Sequence, residues 1–234
     1  MECCTGGDLS FLISQGKERL EQWTKEIPSY GLQLLSALEF IHSRGIIHAD
    51  LKPDNLLISS NQTLVLADFG CAIELRATSN VSLRYVGTAD YASPEVVMGD
   101  SSKVSIGIDL WSLGCILFAM WEGESPFHAE SDALAVRKIA QYRGEPLSNK
   151  VMTDDWMRLI RDLLTPNPST RLGTSDLDQK SDSQSVEYSS IRLKSSCWAW
   201  ASDVVLQAVK PPWWTTAQET ALKDGATGWS VFLL

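Results

Sequence analysis

Positive charge is in short supply in this sequence. Against 29 Asp and Glu stand 20 Lys and Arg, giving a net charge of −9 and a pI near 4.8. An acidic surface disfavours nucleic acid as a partner, and it disfavours polybasic docking on anionic membranes. Cysteine is sparse and unpatterned. Cys3, Cys4, Cys71, Cys115 and Cys197 fall into no metal-binding or disulfide spacing. An odd count with no signal peptide suits a reducing compartment, so a cytoplasmic protein is expected. Long uninterrupted apolar runs are missing too. The most apolar stretch, Val104 to Trp121, carries Asp109, and a carboxylate at bilayer depth is costly, so no membrane-spanning segment is expected. A buried core helix is the better reading of that stretch. With 234 residues, 44% of them hydrophobic, the chain has material for one large domain, or a domain and a tail.

Periodicity divides what is present. Ile27 to Ser43 sets Leu34, Leu35, Leu38 and Ile41 at helical spacing, and Gly45 is expected to stop that helix. Leu56-Leu57-Ile58 and Leu64-Val65-Leu66 read as two short strands around a turn centred on Asn61. Residues 71 to 92 lack periodicity and read as a long loop. Helices are expected around Asp109–Trp121, Ser131–Tyr142 and Asp154–Leu164. From Thr174 to Ser190 the composition shifts to Ser, Asp and Gln, as in a linker or insertion. Trp198, Trp200, Trp213, Trp214 and Trp229 then crowd the last stretch. Mobile tails are poor in aromatics, so this one is expected to pack on something.

Polar residues concentrate at the two ends of the hairpin. His48-Ala49-Asp50-Leu51-Lys52-Pro53-Asp54-Asn55 precedes it and Asp68-Phe69-Gly70 follows it. Ser93-Pro94-Glu95, Asp109-Leu110-Trp111-Ser112-Leu113-Gly114 and Arg171 come later. A surface turn between two strands would explain the hairpin but not the polar residues at both its ends. A lone Asp-Phe-Gly recurs by chance; five motifs in one order do not.

That order resembles the catalytic loop, magnesium motif and following segments of eukaryotic protein kinases. The likeness is to the C-terminal lobe of a serine/threonine kinase, over residues 1 to about 173. It resembles the 3-phosphoinositide-dependent kinases, within the group that also holds the cyclic-AMP-dependent kinase. Val86 to Glu95 carries the closer likeness, with Ser-Pro-Glu where most kinases have Ala-Pro-Glu. The resemblance implies an α+β protein-kinase-like fold, this chain being the mainly α-helical C-lobe with a small catalytic β-hairpin. The implied organisation is a kinase domain over 1–173, a Ser/Asp-rich linker over 174–190 and a Trp-rich tail over 191–234. The implied activity is transfer of the ATP γ-phosphoryl group to protein Ser/Thr hydroxyls, with ATP and Mg2+ as cofactors and proteins as substrates.

Site residues follow from the same resemblance. Asp50 would be the base for the attacking hydroxyl, Lys52 would neutralise charge on the transferred group, and Asn55 and Asp68 would be the magnesium ligands. Thr88 would bridge to Asp50 and Lys52. Glu2 and Cys4 would belong to the hinge that meets adenine, Asp8 would meet the ribose and Leu57 would form the adenine floor. Asp54 would lie with Asp68 on the nucleotide side. Asp109 would hold the catalytic-loop backbone, or else simply cap its helix. Glu95 would pair with Arg171; alternatively Glu95 serves its helix dipole and Arg171 is a solvated cation. Cys71 is read as a small buried hydrophobe rather than a redox group, and Cys115 as core. His42 and His128 show no partner pattern and are read as structural. His48 is read as packed and hydrogen-bonded.

Departures from the family pattern set further expectations. The sequence opens at the hinge, so the glycine-rich loop, strand lysine and helix glutamate of the N-lobe are missing from it. Lys17 and Lys25 come after the hinge and cannot replace the strand lysine. The chain as written is therefore expected to be catalytically silent; the alternative function is a non-catalytic lobe that binds or scaffolds. Ala49 stands where most kinases have an Arg that pairs with an activation-loop phosphate, and Arg84 stands where the phosphoserine would be. Both halves of that switch are absent together, with Ser79 and Ser82 left as candidate modification sites. Trp229-Ser230-Val231-Phe232 is either like a hydrophobic docking motif or a mis-specified end. No room remains for a phosphoinositide-binding domain.

Overall fold

Capping by Asp8 starts the first helix. The Phe11 N–H donates to Asp8 Oδ1 at 2.7 Å, and α1 (Leu9–Gly16) follows with Leu9 and Ile13 buried on one face. The computed structural model describes residues 4–16, 20–75, 89–145, 147, 152 and 154–174. Helix α2 (Leu20–His42) buries Ile27, Leu34, Leu38 and Ile41 completely. It begins before the expected Ile27, although Pro28 lies inside it and has no N–H for the carbonyl of Thr24. The early turns are held from outside: buried Trp23 donates its indole N–H to the Met120 carbonyl at 2.7 Å. Gly45 ends the run as the periodicity suggests, with φ 72 and its N–H on the His42 carbonyl.

Two small antiparallel ladders follow. β1 (Ile46–Ile47) pairs with β4 (Ile73–Glu74), so Ile46 faces Glu74. Thus the stretch expected as a loop from residue 71 contains a strand, and the tight turn Ala89–Tyr91 lies near its far end. Two residues are too few to show a period; a distant partner fixes them. β2 (Leu56–Ile58) pairs with β3 (Leu64–Leu66), with Leu56 opposite Leu66, as expected. The segment before α1 lies along the free edge of β2. Gly6 N–H donates to the Ile58 carbonyl, and Ile58 N–H to that of Gly7, both at 2.9 Å. A Cβ on Gly6 would meet the Ile58 carbonyl oxygen at 2.8 Å, which requires glycine there.

The remaining elements are helical: α3 (Pro94–Val97), α4 (Gly107–Glu122), α5 (Asp132–Gln141) and α6 (Asp154–Leu163). The last three match their expected positions at the level of a residue or two. Every residue of α4 from Gly107 to Met120 is buried, because this helix is apolar on all sides and forms the centre of the domain. α2 packs on one side of it and α6 on another. α6 is amphipathic, burying Trp156, Met157, Leu159, Ile160 and Leu163 while its acidic and basic residues face outward. Each such Leu or Ile contributes about 1.5–3 kcal/mol on burial. Among the described residues no helix is long and apolar enough to cross a membrane. The fold is α+β and kinase-like, a mainly helical lobe with one small hairpin. Glu2, Thr88, Ser79, Ser82, Arg84, the linker from residue 175 onward and the Trp-rich tail lie outside the described residues.

Candidate active site

Asp109 organises the turn between β1 and β2. α4 begins at Gly107, so Asp109 sits inside its first turn rather than capping it. Its Oδ2 accepts the His48 backbone N–H at 2.8 Å, and its Oδ1 accepts that of Ala49 at 2.9 Å. His42 Nε2 lies 2.7 Å from the same Oδ2. Burial pushes the Asp109 carboxyl up, but the His42 hydrogen bond, the charges of His42 and His48 and the His48 N–H together outweigh it. The group is held below the usual carboxylate range. The Ala49 N–H is gripped while Ala49 adopts φ 64, a conformation that costs a non-glycine residue about 1–3 kcal/mol. The bonds from Asp109 offset that strain and set the direction in which Asp50 leaves the turn.

The Asp50 side chain is held at one oxygen. Lys52 Nζ donates to Asp50 Oδ2 at 2.8 Å, and Asn55 Nδ2 donates to the same oxygen at 3.1 Å and to the Asp50 carbonyl at 2.8 Å. Among the described residues Asp50 Oδ1 carries no hydrogen bond, so the carboxylate presents one fixed, free oxygen. Because Asn55 spends its amide nitrogen on Asp50, its Oδ1 is the atom left over for another partner. Asn55 is buried and immediately precedes β2; the N–H of Ala67, just past β3, donates to the Asn55 carbonyl at 2.9 Å. The His48 ring donates Nε2–H to the Ala67 carbonyl at 2.9 Å and meets Phe69 edge-on at 4.8 Å between centroids. The hairpin thereby brings Asp68, one residue on, to the same end as Asn55.

Asp68 is exposed, at φ 60, and its Oδ1 accepts the Gly70 N–H at 3.2 Å. Asn55 Oδ1 and the Asp68 carboxylate are hard oxygens of the kind magnesium takes. Among the described residues no three His, Cys, Asp or Glu converge as a metal site. Two protein oxygens fit a metal that brings its other ligands on a phosphate and water.

On the other side of the hairpin the strap noted above sets Asp8 opposite Leu57 in an antiparallel bridge. Leu57 is half-buried, and Cys4 at the start of the strap is likewise. Asp8 spends Oδ1 on capping α1, which leaves Oδ2. Asp54 is exposed in the turn Pro53–Asn55 and makes no hydrogen bond among the described residues. Of the predicted site residues, then, Asp50, Lys52, Asn55 and Asp68 form one cluster. Asp8 and Leu57 meet along β2, Cys4 lies at the start of the same strap, and Glu2 and Thr88 are outside the description.

Two histidines gain partners and one reading changes. His42 and His128 both have carboxylate partners: His42 meets Asp109, and His128 Nδ1 lies 2.7 Å from Asp90 Oδ2. Neither pair has a sequence signature, since the partners are 67 and 38 residues apart. Cys71 is exposed rather than buried, because the tight turn Phe69–Cys71 faces it outward, whereas Cys115 is core as expected. The Glu95–Arg171 lock is present. Arg171, wholly buried, donates to Glu95 Oε1 at 2.7 Å and Oε2 at 3.0 Å. Its remaining N–H groups go to the carbonyls of Gly107, Thr165 and Pro166.

A family model described as protein kinase domain matches residues 1–181. CBL-interacting protein kinase 12 of Oryza sativa subsp. japonica is 37% identical over 182 residues, covering 76% of this chain and 32% of that protein. The 3-phosphoinositide-dependent protein kinase 1 of Arabidopsis thaliana is also 37% identical, over 183 residues, covering 74% of this chain and 36% of its own length. Serine/threonine-protein kinase cds1 of Schizosaccharomyces pombe is 34% identical over 183 residues, with 75% and 39% covered. The chain thus spans between about a third and two fifths of the lengths of these curated relatives.

Proposed function

This chain belongs to the protein kinase family, and we propose that it carries the catalytic turn of a serine/threonine protein kinase using ATP and Mg2+. The observation that carries this reading is the Asp50 carboxylate, clamped at Oδ2 by Lys52 and Asn55 and without a hydrogen bond at Oδ1 among the described residues. A hydroxyl of the substrate protein approaches Oδ1. As its oxygen bonds to the γ-phosphorus and the bond to the leaving diphosphate breaks, Oδ1 receives the hydroxyl proton. Lys52, already charge-paired with Asp50, lies where it can share the negative charge of the transferred group. Asn55 Oδ1 and Asp68 would hold the magnesium, which supplies charge neutralisation on the phosphate oxygens. Asp8 Oδ2 and the apolar face of Leu57 suit the sugar and base of the nucleotide.

Serine/threonine specificity draws support from the relatives so named, and the intact set Asp50, Lys52, Asn55 and Asp68 favours catalysis over a docking-only lobe. The test is transfer of labelled phosphate from ATP to mixed-sequence peptides by the full-length protein, followed by phosphoamino-acid analysis. Label on serine and threonine is the expected result. Label confined to tyrosine, or no magnesium-dependent transfer at all, overturns the reading.

A further inference from the structure

The hairpin carries both oxygens assigned above to magnesium, on Asn55 just before β2 and on Asp68 shortly after β3. A ribbon of two strands twists readily and is marginal by itself. What holds its two outer edges therefore decides how Asp68 sits relative to Asn55. The β2 edge rests on the strap. Ile58 turns its N–H and carbonyl away from β3, to the Gly7 carbonyl and the Gly6 N–H, both at 2.9 Å. Just before β2, the Asn55 amide grips Asp50.

The β3 edge is held by α2. Leu64 is the register partner of Ile58, so it too must point its N–H outward, away from the ladder. Among the described residues no further strand pairs with that edge. Gln33 of α2 takes a strand's place: its Oε1 accepts the Leu64 N–H at 2.7 Å. Gln33 Nε2 donates to Ser29 Oγ at 3.3 Å, one turn back on α2, which keeps the oxygen turned toward β3. Tyr30, buried on α2, donates its hydroxyl to Gln62 Oε1 at 2.9 Å. Gln62 stands in the hairpin turn at φ 60, a conformation that a non-glycine residue keeps only when its surroundings fix it. Two side chains of α2 thus anchor β3 and the turn, while the strap anchors β2.

We propose that Gln33 is a positioning residue for the metal: by fixing β3 against α2 it sets how the Asp68 carboxylate stands to Asn55 Oδ1. This rests on the kinase reading above. The side-chain hydrogen bonds of Gln33 go to Ser29 and Leu64, so it acts on the metal oxygens only through the strand. Without it the ribbon can twist about the strap-held β2. The strand that leads into Asp68 then swings, while Asn55 stays with Asp50. Mg2+ is small and demands near-ideal octahedral geometry. It loses more from a loosened pair of oxygens than Mn2+, a larger ion that takes the same kind of ligand.

The test compares Gln33→Met with Gln33→Glu in the full-length protein. Methionine fills the volume without an acceptor, and glutamate keeps one. The first readout is amide exchange, without metal, at Ala67, whose N–H is bonded to the Asn55 carbonyl at the far end of β3 from Gln33. Exchange there should quicken in Gln33→Met and recover in Gln33→Glu. The second readout is peptide phosphorylation against metal concentration. Gln33→Met should raise the half-saturating Mg2+ about fivefold, the size of one lost hydrogen bond, and the half-saturating Mn2+ by a smaller factor. Gln33→Glu should restore the wild-type ratio of the two. Unchanged exchange at Ala67, or an equal rise for both metals, overturns the proposal. So does a loss of kcat with both metals and a lower melting temperature at an unchanged metal ratio, which marks a merely structural role. If Gln33→Met does not fold, Tyr30→Phe replaces it, removing only the hydroxyl bonded to Gln62. It should shift the metal ratio in the same direction, and an unshifted ratio there overturns the proposal. Wild-type protein that transfers no phosphate overturns the kinase reading, while exchange at Ala67 still judges the anchor.

Discussion

At the scale of the residue, one carboxylate carries an unusual share of the arrangement. Asp109 accepts two adjacent backbone N–H groups and meets an imidazole, at full burial. An asparagine there keeps one acceptor oxygen and turns a donor toward a donor, so Asp109→Asn should cost about 3 kcal/mol. The pH dependence has a definite sign. A carboxyl held below its usual range when folded contributes stability that is fully present above its unfolded value, about 4. That contribution is lost as pH falls through the lower, folded value. Urea midpoints measured from pH 7 to pH 3 should therefore drop more steeply below about pH 4 in wild type than in Asp109→Asn. Equal slopes would contradict the assignment. The sequence offered Asp109 either as a cap or as the anchor of the catalytic turn. What decides between them is where α4 starts, and a boundary of two residues is not written in composition. The partner His42 was unreadable for a different reason, since nothing local ties it to a carboxylate 67 positions away.

Among elements, the long helices and the hairpin were legible, and the two-residue ladder was not. α4 could be read because sixteen residues without an outward polar face must be central, and α6 because its charges fall on one side. The hairpin could be read from two apolar triplets and a turn. By contrast β4 exists because Ile46–Ile47 lies beside it, and the first turns of α2 exist because Trp23 reaches Met120. The Glu95–Arg171 lock shows what joins elements that the sequence lists far apart. It ties α3 to the first turn of α4, through the Gly107 carbonyl, and to the stretch after α6, through Thr165 and Pro166. Such a pair is costly to bury and more costly to break. Arg171→Met leaves the Glu95 carboxylate without its partner in the core and takes the guanidinium from three carbonyls, and should lower stability by about 3–5 kcal/mol. Denaturant unfolding followed by tryptophan fluorescence measures this; a loss below about 1 kcal/mol, the level of an exposed pair, would show that the lock is not buried as described.

For the whole molecule, the candidate site is an assembly of four distant stretches on one rigid core. The turn at 48–55 supplies Asp50, Lys52 and Asn55; the hairpin carries Asp68 round to Asn55; the strap at 6–8 brings Asp8 to Leu57; and α4 anchors the turn through Asp109. The motifs name Asp50, Lys52, Asn55, Asp68 and Asp109 as candidates, whereas Asp8 and Leu57 come from the family resemblance alone. The division of the Asp50 carboxylate into an oxygen clamped by Lys52 and Asn55 and one that carries no hydrogen bond among the described residues was not legible, because it depends on side-chain geometry across the turn. That division is the central claim, and Asp50→Asn in the full-length protein tests it. The substitution is isosteric and leaves an oxygen for Lys52 and Asn55, so the melting temperature should stay at the wild-type value. Turnover of a Ser/Thr peptide should fall about a hundred- to ten-thousand-fold, the usual cost of a positioned base. A folded Asp50→Asn protein that phosphorylates the peptide at near wild-type rate would contradict the account.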